Sequence, residues 1–281
     1  MSNYYIPCQI APGVWHIYEP ANVYSTLIVG KERALLIDTG YGYGNLREIT
    51  ASLTDLPLTV VNSHGHFDHA GGNYQFDCVY INRTELPVYF WYLTEVKPVT
   101  TGTFLKLCGS GKSEVIPKTL DVEWYLQQNN RHFEMLKDQQ VFDLGGRTVT
   151  AIFLPGHTVG STVFLDSLTE ILFSGDDISP NLWIQFEHSA PLYDYAADLI
   201  KLKKYPISGI VSSHIGTVMP AGLIDWIEFA ISNIDDTQAQ TFVHPRTGRK
   251  SLMFRQPVED EAMDGIKKIN IVYDKNHKFA G

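Results

Sequence analysis

The stretch Asn62-Ser63-His64-Gly65-His66-Phe67-Asp68-His69-Ala70-Gly71-Gly72 decides how the chain is read. Three imidazoles and one carboxylate fall between residues 64 and 69, directly after the apolar run Leu58–Val61. Polar side chains at this density do not suit a core. Imidazole together with carboxylate suits a borderline divalent ion such as zinc. If extended backbone continues out of the strand, His64, His66 and Asp68 share one side and His69 takes another, so one loop feeds two adjacent ions. Gly65 permits a tight backbone, and Gly71-Gly72 permits a sharp turn before the next element. The plain alternative is a polar loop with incidental histidines.

Ligand-type residues further along weigh against that alternative. Val149–Leu154 runs into Pro155-Gly156-His157-Thr158, Ile171–Phe173 into Ser174-Gly175-Asp176-Asp177, and Gly209–Val211 into Ser212-Ser213-His214. Each strand-like segment delivers a metal-type side chain at its end, where a layered α/β domain gathers its site.

Taken in order, His-x-His-x-Asp-His, Pro-Gly-His-Thr, Ser-Gly-Asp and Ser-His resemble the metallo-β-lactamase-fold superfamily, over about residues 13–233. The resemblance implies an α/β fold, the four-layer αββα sandwich. It implies one ion held by His64, His66 and His157 and a second by Asp68, His69 and His214. Asp176 would bridge the two, as in the glyoxalase II and lactonase-like members. Asp177 is the rival bridge; Asp176 is preferred because it follows Gly175 directly. By the same resemblance, a bridging carboxylate belongs with thioesterases, lactonases and phosphodiesterases, and the zinc β-lactamases lack it.

The chain has 281 residues, 44% of them hydrophobic, and a net charge of −9. The acidic balance argues against a nucleic-acid partner, which requires a basic face. Cys8, Cys78 and Cys108 form no Cys-x-x-Cys pair, so neither a disulfide framework nor a thiolate metal site is expected. The opening residues lack a basic segment followed by an apolar one, and no apolar run is long enough for a bilayer. A cytoplasmic protein acting on a small molecule, without a membrane partner, is the expectation.

Strands are expected at Val14–Tyr18, Val23–Val29, Ala34–Ile37, Leu58–Val61 and Cys78–Ile81. A hairpin is expected around Gly145-Gly146, and a helix follows Asn45 as N-cap. Another helix is expected over Asp194–Lys204, with Ala197, Ile200 and Leu202 inward, and another over Ala221–Ile234. Asp38 reads equally as a turn residue or as the partner of a metal histidine. Residues 1–281 read as one domain with an insertion at about 93–137 and a C-terminal extension at about 240–281. The insertion is expected to form a lid or wall over the site and to influence substrate choice; a homodimer contact is the equal alternative. Gly109-Ser110-Gly111-Lys112-Ser113 is not a phosphate loop, since residue 106 is Lys where that motif needs Gly. The extension is expected to add a hairpin to the sheet edge.

Two divalent ions roughly 3.5–4 Å apart can share a hydroxide and bring its pKa toward neutrality. The expected activity is therefore metal-dependent hydrolysis of an ester, thioester or lactone. The ions are expected to be two zinc ions, with iron or manganese as alternatives. Asp68 doubles as ligand and proton shuttle. His188 and Tyr193 are candidate substrate contacts, and Tyr195 is weighed in the same way. His16, His132, His244 and His277 read as surface or hydrogen-bonded residues. The competing readings are a phosphodiesterase, an iron-dependent redox enzyme of the same fold, similar to the persulfide dioxygenases, and a metal-stabilised binding protein without turnover.

Overall fold

Along Ala34–Ile37 all four side chains are buried, but on two sides: Ala34 and Leu36 join one apolar cluster, Leu35 and Ile37 another. A strand alternates its side chains with period two, so an unbroken apolar run marks a strand covered on both faces. The same division recurs in the second half. Phe164 and Phe173 face the cluster that holds Leu35, while Val163, Leu165 and Leu172 face a third cluster.

The computed structural model describes residues 4–245 and 247–279. Strands β1 (Ile6–Ala11), β2 (Val14–Glu19), β3 (Val23–Val29), β4 (Ala34–Ile37), β5 (Leu58–Val61), β6 (Val79–Ile81) and β7 (Phe133–Met135) form a seven-stranded sheet in chain order. The strands β8 (Val141–Asp143), β9 (Thr148–Phe153), β10 (Thr162–Asp166), β11 (Ile171–Gly175), β13 (Gly209–Ser212) and β14 (Met219–Pro220) form a second sheet. The central cluster lies between the two sheets. Outside the first sheet lie α1 (Leu46–Leu53) and the helical residues 86–127; outside the second lie α6 (Leu192–Ile200) and α7 (Leu223–Ser232). The fold is the four-layer αββα sandwich.

Local chemistry accounts for the elements. The Asn45 side chain accepts from Glu48 N at 3.0 Å, which caps α1. Gly145 and Gly146 both take positive φ, 79° and 77°, in the turn between β8 and β9. The Arg147 guanidinium, buried with Asp166, also donates to Pro12 O at 2.9 Å and so ties the second sheet to the first.

Three sequence expectations shift. Residues 93–137 are mostly helical: a π-turn over Tyr92–Val96, then α4 (Lys97–Gly109) and α5 (Val122–Gln127), and their last strand, β7, belongs to the first sheet. The segment is pinned to the body of the fold. Lys97 Nζ donates to Tyr125 O and Gln128 O at 2.8 and 2.7 Å, closing the C-terminal end of α5. The Tyr125 hydroxyl donates to Tyr41 O at 2.7 Å, and the Phe104 ring meets Tyr41 edge-on. The C-terminal strands β15 (Gln240–Val243), β16 (Lys250–Pro257) and β17 (Lys268–Tyr273) pair with β12 (Asn181–Ile184) as a separate third sheet. In α6 the inward stripe is Leu192, Tyr195 and Leu199, continued by Leu202, whereas Ala197 and Ile200 face water. That helix starts two residues earlier than the spacing suggested, and its buried stripe begins at Leu192.

Glu19 is fully enclosed where the helical segment meets the first sheet. It accepts from Tyr41 N at 2.8 Å, Tyr43 N at 3.3 Å and the Tyr4 hydroxyl at 3.1 Å. Burial pushes its carboxyl from the ordinary 4.5 up to about 7, against the pull of these bonds. A carboxyl raised on folding favours the fold below its unfolded pKa, and that contribution is lost as pH rises through the folded value. The Glu19→Gln variant should therefore gain stability relative to the parent between pH 5 and pH 8, by on the order of 2–3 kcal/mol, in paired urea titrations. A stability gap that stays constant over this range would show that Glu19 does not titrate there.

Candidate metal centre

β5 ends at Val61, and His66 is still extended at φ −67° and ψ 150°, but Phe67–Ala70 is one helical turn. The extended reading that put Asp68 beside His64 and His66 is thereby corrected. The helical turn carries Asp68 and His69 together to the other side. Asp38, at the end of β4 with φ 61°, holds both arms of the loop. It accepts from Ser63 N and from Ser63 Oγ, each at 2.7 Å, and meets His69 Nδ1 at 2.9 Å. Both expected roles of Asp38 are thus present at once. Glu85, also buried, accepts from Gly65 N and Gly160 N, each at 2.7 Å, and so joins the loops that carry His66 and His157. A Cβ at residue 65 would lie 2.8 Å from Tyr89 N, which leaves glycine the only fit there.

Hydrogen bonding sets the imidazole tautomers. His157 Nδ1 lies 2.7 Å from Trp183 O, and His214 Nδ1 lies 2.6 Å from Asn22 O. Carbonyl oxygens only accept, so each Nδ1 carries the proton and each Nε2 offers a lone pair. His69 Nδ1 donates to Asp38 in the same way. Ser63 Oγ spends its proton on Asp38 and accepts from His64 Nδ1 at 3.0 Å. In their neutral form, four rings therefore turn an Nε2 lone pair inward. His66 is turned over: its Nδ1 faces His157 Nε2 at 3.0 Å, and its Nε2 faces His188 Nε2 at 2.7 Å.

These donors converge. His64, His66 and His157 form one group whose donor atoms all lie within 4.8 Å; His64, His69 and Asp176 form another, and Asp68, His69 and His214 a third. One oxygen of Asp176 lies 3.5 Å from His69 Nε2, 3.5 Å from His157 Nε2 and 3.4 Å from His214 Nε2. Asp177 turns away: its carboxylate accepts from His157 N at 2.8 Å, and burial pushes it well above the usual carboxylate range. Burial, then neighbouring imidazoles, hold His64 and His66 well below the ordinary histidine value. Burial also presses on His69 and His214, but the Asp176 and Asp68 carboxylates outweigh it, raising His69 well above the ordinary value and His214 to about 9. The donor chemistry fits divalent ions. His64 Nε2, His69 Nε2 and one oxygen of Asp176 are enclosed without a hydrogen-bond partner, an arrangement a cation relieves and a packed core avoids.

The metallo-beta-lactamase superfamily model matches residues 18–214. The chain belongs to that superfamily. A human relative named acyl-coenzyme A thioesterase MBLAC2 is 31% identical over 207 residues, covering 68% of this chain and 70% of the relative. The atrochrysone carboxyl ACP thioesterase of Aspergillus fumigatus is 28% identical over 153 residues, 53% of this chain and 37% of the relative. Among solved structures, a metallo-beta-lactamase from Pontibacter korlensis superposes with a TM-score of 0.55 at 21% identity, covering 82% of this chain and all of that one, a likeness of fold.

Around this superfamily site the remaining sequence candidates separate. His188 is beside the cluster, its ring stacked on Phe186 at 5.3 Å. Tyr193 packs on Phe279 at 4.7 Å instead, and the Tyr195 hydroxyl donates to the Asp177 carbonyl. His16 is buried, bonded to Thr26 Oγ1 and Ile215 O, and burial lowers it to about 4. His244 is buried and hydrogen-bonded, its Nδ1 accepting from Thr247 N at 3.2 Å, and its ring meets Trp183 and Phe186 in an aromatic rim. Sequence reading missed Glu85, Asn22, Tyr92 and Phe186. Tyr92 stacks on His66 at 4.2 Å and Phe186 meets it edge-on, and neither position has a motif. Among the described residues no helix is long and apolar enough to cross a membrane.

Glu85→Ala leaves the Gly65 and Gly160 amides buried without acceptors, which should cost roughly 2–6 kcal/mol at one to three per group. Urea unfolding measures this, and a loss below ~1 kcal/mol would mean the amides find other partners.

Proposed function

We propose that the protein is a dinuclear metal-dependent hydrolase of acyl thioesters. The observation that carries the reading is the single Asp176 oxygen shared by three inward-facing imidazole nitrogens, at 3.4–3.5 Å. In this reading His64 and His157 through Nε2 and His66 through Nδ1 hold one ion. Asp68, His69 and His214 would hold the second, and Asp176 would serve both. Zinc suits this mix of imidazole and carboxylate, with iron and manganese as the other borderline choices.

Two such ions supply Lewis acidity toward the thioester carbonyl and toward the attacking water. The protein's own groups do the rest. Asp68 is half-buried, its oxygens 3.9 Å from His69 Nε2 and 3.8 Å from His214 Nε2, and so is placed to take up the water proton. A thiol is acidic enough to leave as thiolate, so no strong general acid is required. Asp38, Asn22 and the Trp183 carbonyl keep the imidazoles aimed as the reaction proceeds. Tyr92, Trp183 and Phe186 give the rim an apolar, aromatic character that suits an acyl chain. The 31% identity to a relative named as an acyl-coenzyme A thioesterase supports the thioester over the lactone and the phosphodiester. The segment at 93–137 then serves as the wall behind Tyr92, and the substrate is a small molecule met in the cytoplasm.

The test is elemental analysis of protein purified without chelator, followed by thiol release from an acyl-coenzyme A. Two zinc ions per chain and metal-dependent thiol release are expected. The metal-replete Asp68→Ala variant should be slower by at least ~100-fold. Unchanged rates in metal-stripped protein, or a coloured iron protein without thiol release, overturn the reading.

A further inference from the structure

Every inward-facing imidazole but one has an oxygen behind it. Ser63 stands behind His64, Asp38 behind His69, the Trp183 carbonyl behind His157 and the Asn22 carbonyl behind His214. His66 is the exception in two respects. It presents Nδ1 instead of Nε2, and what stands behind it is another imidazole, His188, at 2.7 Å between the Nε2 atoms. A neutral ring that offers Nδ1 must carry its proton on Nε2, and that proton needs an acceptor.

We propose that His188 is the positioning residue for His66: it accepts the Nε2–H of His66 and thereby fixes His66 as the one ligand that binds through Nδ1. The inference rests on the ligand set proposed above. Accepting through Nε2 puts the His188 proton on Nδ1. The loop that carries His188 is latched to the His157 loop, which holds the acceptor in place. The His188 carbonyl accepts from Val159 N at 2.8 Å, Ser189 Oγ donates to His157 O at 2.7 Å, and Ala190 N donates to Gly156 O at 2.9 Å. Phe186 lies parallel to the His188 ring with an interplanar angle of 6°, and Tyr92 meets it edge-on at 5.7 Å while stacking on His66. One acceptor atom is thus set in a stiff aromatic frame, and His66 is held between it and the metal position.

A ring that merely packs predicts a different result from a ring that accepts a proton. His188→Phe keeps the ring and its stack on Phe186 but has no acceptor. His188→Gln loses the ring and keeps an oxygen that can reach the His66 proton. Zinc affinity is read by competition with a chromophoric chelator, and the melting temperature of each metal-free protein is read alongside. His188→Phe should bind zinc ~10–100-fold more weakly, as loss of a ligand's hydrogen-bond partner does, at an unchanged melting temperature. His188→Gln should stay close to the parent. The reverse order, or equal affinity in all three proteins, overturns the assignment of His188 while leaving the ligand set standing. A parent protein that takes up no zinc overturns both. Nitrogen-15 spectra of the zinc-loaded parent decide even if a variant fails to fold: His66 should show a metal-bound Nδ1 and a protonated Nε2, and the opposite tautomer removes the role of His188.

Discussion

Five imidazoles and two carboxylates are crowded into one space, and the rest of the structure is arranged to keep them there. Left without a cation, His64 Nε2, His69 Nε2 and one Asp176 oxygen have no hydrogen-bond partner. Burying a polar group unsatisfied is costly, and burying several lone pairs against one another is worse. The protein tolerates this because each donor is the end of a chain of bonds that leads back to a strand. Asp38 closes β4 and holds both Ser63 and His69; Asn22 closes the turn after β2 and holds His214.

The two sheets contribute unequally to that scaffold. The first supplies the dense loop after β5 and its clamp, Asp38. The second supplies His157, Asp176 and His214 from three separate strand ends. They meet because the central cluster packs Leu35, Ile37 and Val61 against Val149, Phe173 and Val211, bringing the C-terminal ends of β4, β5, β11 and β13 to one edge. Glu85 then stitches the His66 loop to the His157 loop across the gap. The third sheet and the helical segment 86–127 enclose the site with aromatic rings, Trp183 and Phe186 from one side and Tyr92 from the other.

Much of this was legible because period and density leave a trace in sequence. Strands β2 to β5 are short apolar runs rich in branched residues, and they lie where those runs lie. The site residues stand out as ligand types immediately after such runs. The segment 93–137 was illegible for a physical reason. Its helices are pinned by single contacts, such as Lys97 on the α5 carbonyls and Phe104 on Tyr41, and these leave no periodic pattern. The α6 stripe was misphased because the assumed start left out Leu192, whose spacing to Tyr195 and Leu199 marks the buried face.

The sequence by itself determined the layered α/β architecture, the seven candidate donor side chains and their order along the chain. Those follow from local chemistry: alternation of apolar residues, and ligand types that suit a borderline ion. Only the tertiary structure decided which donors share a position, because the helical turn at Phe67–Ala70 separates Asp68 from His66. It alone showed that Asp177 serves the His157 backbone while Asp176 meets three imidazoles. It alone set tautomers, since the proton on a ring is fixed by an acceptor distant in sequence, such as the Asn22 carbonyl for His214 or the Trp183 carbonyl for His157. Long-range hydrogen bonds of this kind carry no local signature, and they orient the whole site.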